Sequence, residues 1–209
     1  KKTFDFLAHI LNSTWSSQVK TTGEIMEKRL TSGSRFTIGT SSPREEEIKL
    51  YEEVCQDKPG EEIPVGILET IALKTDGHLR YIPRTYEELT DCGLWKPPEE
   101  DADTLILVDV TVLESRRGKK GNGEAKKLIN IALDSLVKTQ FEYVWTYTPN
   151  IESVKKWHES LGAINTQLII LGARDKFSTP DVCVMNYSKK LNDLRMNVFP
   201  SLKVVCPFY

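Results

Sequence analysis

The chain has 209 residues, a length that fits one domain, and a fold of this size buries roughly 70% of the surface of its unfolded chain. Apolar residues make up 39% and charged residues 28%, a composition that supplies a hydrophobic core and excludes a disordered chain. The 28 Lys and Arg nearly balance the 30 Asp and Glu, so the net charge of -2 gives no reason to expect a nucleic-acid partner.

Long apolar segments and cysteine pairs are both missing from the sequence. No window approaches the ~18 uninterrupted apolar residues of a membrane-spanning helix, and no signal-type apolar core follows the first residues. We therefore expect a cytoplasmic protein with no membrane partner. The four cysteines form no CxxC pair, which argues against a zinc site and a disulfide framework. Free thiols are expected, and no metal.

The first half of the chain begins with two predicted helices, over residues 4–11 and 16–31, whose apolar residues recur at helical spacing. A short β-prone segment follows at 35–40. An amphipathic helix is predicted over 44–54, after Pro43, and the second strand over 65–74. The helix is therefore predicted to be an exposed insertion between the first two strands.

The domain boundaries follow from where this regular pattern is interrupted. Residues 77–103 hold three prolines and Trp95 without sustained periodicity, and indicate a loop-rich insertion. We expect a single domain over 1–209, made of N-terminal helices (1–34), two insertions (43–62 and 77–103) and a core (104–187). The sequence leaves open whether residues 192–209 add a strand or pack on a neighbour.

The second half of the chain alternates strands and helices. Residues 104–113 form the most apolar strand, a glycine-bearing loop follows at 118–123, and residues 124–139 place their apolar side chains on one helical stripe. The remaining predicted elements are a strand over 141–148, a helix over 151–161 and strands over 167–171 and 182–187. Such alternation predicts an α/β architecture.

The loop between the apolar strand and its helix has the composition of a phosphate cradle. It reads Arg-Arg-Gly-Lys-Lys-Gly-Asn-Gly-Glu-Ala from Arg116 to Ala125, and its glycines let backbone N–H groups converge on an anion at the helix N-terminus. No GK[ST] ends it, and Gly118, Gly121 and Gly123 lack the dinucleotide-binding spacing. By composition alone, a basic surface turn is an equal alternative.

With its flanking elements, this loop resembles the GNAT acyltransferase superfamily. The signature of that superfamily is a valine-rich strand, a loop close to R-G-x-G-x-G, a helix, a strand, and then N-x(6)-[FW]-Y-x(3)-G-[FA]. The matching segments are Val108–Val112, Arg117–Gly123 and Asn150–Ala163. The resemblance covers 104–187 and implies the GNAT fold: α/β, with a mixed central sheet splayed between strands four and five and helices on both faces.

Two departures from the family pattern bear on function. The loop carries one extra residue, because Lys119 and Lys120 stand where the family usually has one lysine, and this leaves the phosphate-binding N–H groups open. His158 stands where family members usually carry the Tyr that protonates the departing CoA thiolate. A buried structural histidine is the alternative to an acid at this position.

The resemblance implies acetyl-CoA or a related acyl-CoA as co-substrate. Its pantetheine arm would pair with the backbone of strand 104–113 like an added strand, and its pyrophosphate would rest on the glycine loop, with about half of the nearby Lys and Arg touching phosphate. The implied cofactor-binding residues are Val110, Val112, Arg117, Gly118, Lys119, Lys120, Gly121, Asn122, Gly123, Glu124 and Asn150.

Transfer to an amine, on a small molecule or a peptide, needs a base for the nitrogen and an acid or water for the thiolate. Asp109 and Glu69 are the candidate bases, because a carboxylate in an apolar strand is either partnered or displaced in pKa for use. Pairing with a nearby Arg or Lys is the alternative. His158 is the candidate acid, and Tyr147 is a reserve acid.

A narrower resemblance points to GNAT-like domains of polyketide loading modules, as in the curacin pathway, which decarboxylate malonyl-CoA and pass acetyl to a carrier-protein thiol. The matching residues are Thr146, the motif at His158, Arg174 sixteen residues on, and Trp15. A hydroxyl and an imidazole can hold a thioester carbonyl, and Arg can hold a carboxylate. Those domains carry a long insertion between the Thr and the His, which are only twelve residues apart here.

A third alternative is an inactive CoA-binding module. Gln or Asn at the position of His158 would have favoured it, whereas a histidine does not. We therefore expect an acyltransferase that works by direct attack in a ternary complex.

Overall fold

The computed structural model describes residues 1–14, 20–31, 35–90, 100–118, 123–136, 141–171, 181–187 and 203–205. Within these ranges the helices are α1 (Lys2–Asn12), α2 (Gly23–Thr31), α3 (Glu45–Cys55), α4 (Tyr86–Thr90), α5 (Glu124–Leu136) and α6 (Glu152–Glu159). The strands are β1 (Arg35–Ser41), β2 (Ile63–Leu73), β3 (Thr104–Val112), β4 (Tyr143–Pro149), β5 (Ile164–Leu171), β6 (Val182–Asn186) and β7 (Lys203–Val205).

The strands form one mixed sheet in the order β1-β2-β3-β4-β6-β5-β7. Neighbours are antiparallel except for two parallel pairs, β3 with β4 and β5 with β7. The described part of the C-terminal tail thus adds a strand, one of the two alternatives left open by the sequence. The α/β class and the mixed sheet are confirmed.

The sheet opens between β3 and β4, which take the places of the family's strands four and five. The two strands pair only from Thr104 with Tyr143 to Leu107 with Thr146. Beyond that point β3 stays paired with β2, and β4 stays paired with β6. Each strand therefore follows its own neighbour, and the gap between them is the predicted splay.

Helices cover both faces of the sheet, as predicted. On one face, α1 and α2 pack against Ile63, Val65 and Ile67 of β2. On the other face, α5 packs through Leu128 and Ile129 against the opposite side of the same sheet. Fully burying an aliphatic side chain of this size stabilises a fold by roughly 1.5–3 kcal/mol, so these contacts hold both layers in place.

The second helix is shorter than the sequence predicts. The prediction began at residue 16, whereas α2 begins at Gly23, and residues 15–19 lie outside the described ranges. The side-chain amide of Asn12 donates to the carbonyl of Thr21 at 2.8 Å and accepts from its N–H at 2.9 Å, which closes the connection before the helix starts. A Cβ at Gly23 would clash with the carboxylate of Asp5, so glycine permits the close approach of α2 to α1.

The segments expected as insertions contain regular structure. The predicted amphipathic helix over 44–54 is α3, and residues 77–90 contain a 3-10 turn at Leu79–Tyr81 followed by α4. Trp95 lies outside the described residues. The division of the chain into N-terminal helices, insertions and core stays a prediction.

Candidate active site

A cavity of about 140 Å³ lies in the gap between β3 and β4. It begins beyond the last paired residues of the two strands and is lined by both of them, by α5 and by α6. Asp109 and Tyr147 line it from the sheet face that carries α1 and α2, whereas Val110, Thr148 and His158 line it from the face of α5 and α6. Side chains from both faces of the sheet therefore meet in this cavity.

A β-bulge marks the start of the gap. Glu69 lies opposite Asp109, but Thr70 lies opposite Leu107, so Val108 is the extra residue on β3. Bulges bend a strand and re-aim its side chains, and they recur beside active sites. Here the bulge places two consecutive residues, Val108 and Asp109, on the face of the sheet that carries α1 and α2.

Two buried carboxylates lie side by side at this bulge. Glu69 is 1% exposed and Asp109 is 4% exposed. Arg29 of α2 places Nη1 3.1 Å from Oε1 of Glu69, and the Thr111 hydroxyl donates to Oδ1 of Asp109 at 3.0 Å. Glu69 is thus paired with an arginine, which is the alternative that the sequence left open, whereas Asp109 accepts a hydrogen bond from a threonine and faces the cavity.

His158, at the predicted acid position, lines the cavity from α6 and is 6% exposed. Its Nδ1 lies 2.6 Å from the hydroxyl of Tyr187, which directly follows β6. Burial lowers the pKa of His158 to about 4, so at pH 7 roughly one imidazole in a thousand is protonated. Whatever this ring does at neutral pH, it does as a neutral group.

Thr146, the threonine of the narrower resemblance, holds the two strands together where they separate. Its hydroxyl donates to the carbonyl of Leu107 at 2.9 Å across the β3–β4 pair. A hydroxyl engaged in this way is not free to hold a thioester carbonyl without breaking a buried hydrogen bond.

Thr148, two residues further on the same strand face, has no such bond. It lines the cavity, is 1% exposed, and its hydroxyl has no hydrogen-bond partner among the described residues. A buried hydroxyl without a hydrogen-bond partner costs free energy, and of Thr146 and Thr148 only Thr148 carries this cost.

Tyr147, the reserve acid, is engaged on the other face. Its hydroxyl donates to the carbonyl of Pro83 at 2.7 Å, and burial raises the pKa of its phenol. This bond attaches the segment before α4 to β4. Tyr147 therefore lines the cavity, and its hydroxyl proton is engaged in a hydrogen bond to a backbone carbonyl.

Arg116, expected at the mouth of the phosphate loop, is instead buried against α3. Its Nε and Nη2 each lie 2.6 Å from the carboxylate of Glu47. Although burial raises the pKa of Glu47, hydrogen bonds from Arg116 and Ser115 outweigh it and hold that pKa at about 2. Arg116 therefore fixes the turn before the loop and does not offer its charge to solvent.

The guanidinium of Arg117 is also engaged. Its Nε donates to the carbonyl of Val112 at 2.9 Å, and its Nη2 donates to the hydroxyls of Ser13 at 3.0 Å and Thr14 at 2.6 Å. Arg117 thus ties the end of β3 to the residues that follow α1. Its contact with a phosphate stays a prediction.

The glycine loop leads into a helix, as predicted. Gly118 and Gly123 have φ values of 59° and 71°, in the left-handed region that favours glycine, and α5 begins at Glu124. The helix N-terminus therefore follows the loop, an arrangement suited to an anion. Lys119, Lys120, Gly121 and Asn122 lie outside the described residues.

The remaining predicted binding residues are dispersed. Val110 lines the cavity, whereas Val112 packs in the core beneath α5. Glu124 pairs with Lys127 at 3.1 Å, and the N–H of Asn150 donates to the carbonyl of Asp181 at 3.0 Å. Arg174 and Trp15 lie outside the described residues.

The sequence did not identify Tyr187, Arg29 or Thr148 as site residues. Tyr187 and Arg29 reach their partners across the fold, and no local pattern marks such contacts. Thr148 did carry a signal, because strand alternation places it on the same face as Thr146.

The described part of the chain bears on two expected absences. It contains no group of three or more His, Cys, Asp or Glu placed to hold a metal ion. None of its helices has the length and apolar character needed to cross a membrane. Cys55 and Cys183 are free and buried.

Comparison with known proteins identifies the architecture. No family model and no curated protein matches the chain. Solved structures do match over almost the whole chain. The NatC complex bound to Gag peptide and CoA has a chain that aligns with a TM-score of 0.56 and 13% identity, covering 90% of this chain and 91% of that one.

Two further structures align equally broadly. A ribosomal-protein-alanine N-acetyltransferase from Brucella melitensis has a TM-score of 0.55 and 14% identity, covering 88% of this chain and 93% of that one. The loading GNATL domain of CurA from Lyngbya majuscula has a TM-score of 0.51 and 13% identity, covering 88% and 89%. At such identities the likeness concerns the fold.

Proposed function

Because the chain has the GNAT fold, we propose that it is an acyl-CoA-dependent acyltransferase that moves an acetyl or related acyl group to an amine. The observation that carries the proposal is the cavity in the splayed sheet, which brings a neutral imidazole from one face and a carboxylate from the other to one place. A direct transfer is assisted by a base placed near the attacking nitrogen and a hydrogen-bond donor placed near the sulfur.

The acyl-CoA would enter from the face of α5 and α6. The edge of β3 that turns away from β4 after Leu107 offers backbone groups to a pantetheine arm. The loop with Gly118 and Gly123 precedes the N-terminus of α5, where backbone N–H groups suit a pyrophosphate. The thioester would then lie between the splayed strands.

The acceptor would approach from the face of α1 and α2. The amine nitrogen attacks the thioester carbon, the new C–N bond forms and the C–S bond breaks. The proton of the attacking nitrogen passes to Asp109, directly or through water, with Glu69 beside it. The thiolate accepts a hydrogen bond from the neutral imidazole of His158 and takes its proton from water.

Peptide amines are the first acceptors to test. The NatC complex was solved with a peptide and CoA, and the enzyme from Brucella acts on a ribosomal protein. Small-molecule amines form the second group. Acceptor choice would depend on the N-terminal helices and on residues 77–103, which the sequence resemblance does not cover.

The test is mass spectrometry of products after incubation with acetyl-CoA and a panel of peptide and small-molecule amines. We expect free CoA and one acetylated amine class, with turnover reduced ~10²-fold or more in Asp109→Asn. Asp134→Asn, an exposed carboxylate on α5, is the matched control. Full turnover in Asp109→Asn would remove the carboxylate from the mechanism.

Malonyl-thioester decarboxylation, with transfer of acetyl to a carrier protein, is the second candidate. The CurA loading domain, which shares the fold, favours it. The engaged hydroxyl of Thr146 argues against it. We expect malonyl-CoA alone to be stable, and carbon dioxide release that is abolished in both Arg174→Ala and His158→Ala would replace the first proposal by the second.

A further inference from the structure

The ring of His158 is fixed by two aromatic neighbours. Its Nδ1 lies 2.6 Å from the hydroxyl of Tyr187, and the ring of Trp157 packs edge-on with centroids 4.8 Å apart. Tyr187 is itself anchored, because its backbone N–H donates to the carbonyl of Val144 at 2.8 Å. The orientation of the imidazole in the cavity is therefore set by the end of β6.

The direction of the His158–Tyr187 hydrogen bond follows from the chemistry of the two groups. A neutral imidazole has one N–H and one nitrogen with a free lone pair, and that nitrogen is a far better acceptor than a phenol oxygen. A phenol O–H is in turn a stronger donor than an imidazole N–H. Both side chains are buried, at 6% and 9% exposure, so bulk solvent has little access to the pair. The stable arrangement has Tyr187 donating to Nδ1.

We propose that Tyr187 is a positioning residue that fixes His158 as the tautomer with its proton on Nε2, so that a neutral imidazole offers an N–H donor to the acyl-CoA sulfur. The hydrogen bond at one ring nitrogen decides which nitrogen carries the proton. The identity of the ligand rests on the proposed function, but the tautomer does not. Tyr187 orients the imidazole ring of His158 and keeps its own hydroxyl proton.

The charge states of the pair agree with this arrangement. Burial lowers the pKa of His158 to about 4 and raises the pKa of Tyr187 above its usual value. Neither group is ionised at neutral pH. A histidine that is neutral and has Nδ1 occupied can act on a ligand only as an Nε2–H donor.

The tautomer can be observed directly by nitrogen NMR. The chain has three histidines, and His9→Gln with His78→Gln leaves His158 as the single one. In long-range ¹H–¹⁵N spectra at neutral pH we expect Nε2 at the position of a protonated nitrogen and Nδ1 at that of an unprotonated nitrogen. The opposite assignment, or a mixture of the two tautomers, would overturn the proposal without any variant of Tyr187.

Tyr187→Phe tests whether the phenol sets the tautomer. We expect the Nδ1–H form to become populated in this variant. Tyr147→Phe is the matched control, since it also removes one buried phenol hydroxyl from the sheet but leaves the contact with His158 intact. A spectrum of Tyr187→Phe with the tautomer unchanged would show that Tyr187 does not control it.

Acetyl-CoA is the probe for the ligand side. Saturating acetyl-CoA should shift the Nε2 resonance, whereas desulfo-CoA should shift it less. Tyr187→Phe should lower kcat roughly 10- to 100-fold with KM for acetyl-CoA unchanged, because one buried hydrogen bond is lost. An Nε2 resonance that does not move when acetyl-CoA is bound would overturn the sulfur contact. A chain that neither binds acetyl-CoA nor transfers acetyl contradicts the proposed function instead, while the spectrum still decides the tautomer.

Discussion

His158 gives the folded chain a pH dependence that can be measured without a substrate. Burial lowers its pKa from 6.5 to about 4, so between these values the unfolded chain binds a proton that the folded chain does not. The stability associated with the neutral ring is present above about pH 6.5 and is lost as the pH falls through about 4. The whole effect is about 3 kcal/mol.

His158→Gln should abolish this part of the pH dependence. Urea denaturation at pH 7 and pH 4.5 should show wild type losing more stability than the variant as the pH falls. His78→Gln, an exposed histidine, is the control and should follow wild type. Parallel losses in wild type and His158→Gln would mean that the ring titrates normally.

Replacing Thr146 and Thr148, which lie on one face of β4, by valine should change the stability of the chain in opposite directions. Thr146→Val removes a buried hydrogen bond to the carbonyl of Leu107 and should destabilise the chain by about 1–3 kcal/mol. Thr148→Val removes a buried hydroxyl without a described partner and should stabilise the ligand-free chain by about 1 kcal/mol. Thermal unfolding of the pair checks both signs, and a loss of equal size in each variant would contradict the assignment.

At the scale of elements, local periodicity predicted most of the sheet and its helices. The strand at 104–113 and α5 agree with the sequence because their apolar residues recur at the spacing of a strand and then of a helix. The start of α2 could not be predicted, since bonds between Asn12 and Thr21 set it. Local patterns do not contain such tertiary contacts.

The glycine loop shows the same limit for charges. Its basic run predicted cations of which about half touch phosphate, yet Arg116 is buried against Glu47, 69 residues earlier. The contact depends on how α3 packs beside the loop. Composition predicts which residues are charged, whereas the fold decides where each charge is directed.

Glu47→Gln should therefore affect α3 and the loop together. Breaking one side of a buried ion pair leaves an uncompensated Arg116, and we expect a loss of about 3 kcal/mol or more in the free energy of unfolding. Weaker CoA binding should accompany it, because Arg116 precedes the loop. Urea denaturation and calorimetry check the two effects, and Glu46→Gln, an exposed neighbour, should change neither.

At the scale of the whole molecule, the fold could be predicted and the acceptor could not. Two weak motifs in series, with the right elements between them, resembled the GNAT superfamily, and the solved structures confirm that fold. The motif residues concern a ligand shared by the family. The acceptor recognition that we propose would depend on segments where no common chemistry imposes a pattern, so its residues leave no signature in the sequence.

CoA should stabilise the whole chain by mass action. At a concentration about 100-fold above its Kd, a ligand adds about 2.7 kcal/mol, which for this size raises Tm by roughly 5–10 °C. Phosphate contacts are screened by salt, so the shift should shrink as ionic strength rises. Thermal unfolding with and without CoA measures both effects. In Gly121→Asp the shift should vanish, and an undiminished shift there would place the phosphates elsewhere.

The gap between β3 and β4 has a consequence for how substrates would enter and products would leave. Since the cavity is lined from both faces of the sheet, the proposed transfer would let a thioester and its acceptor reach the cavity from opposite faces and meet only at its centre. A bulky acceptor would then not block the release of free CoA, and either product could leave first. A bisubstrate inhibitor, which joins acyl-CoA to the acceptor, would have to pass between β3 and β4. The hydrogen bond of the Thr146 hydroxyl holds these strands together and would limit the width of the linker between the two parts of the inhibitor.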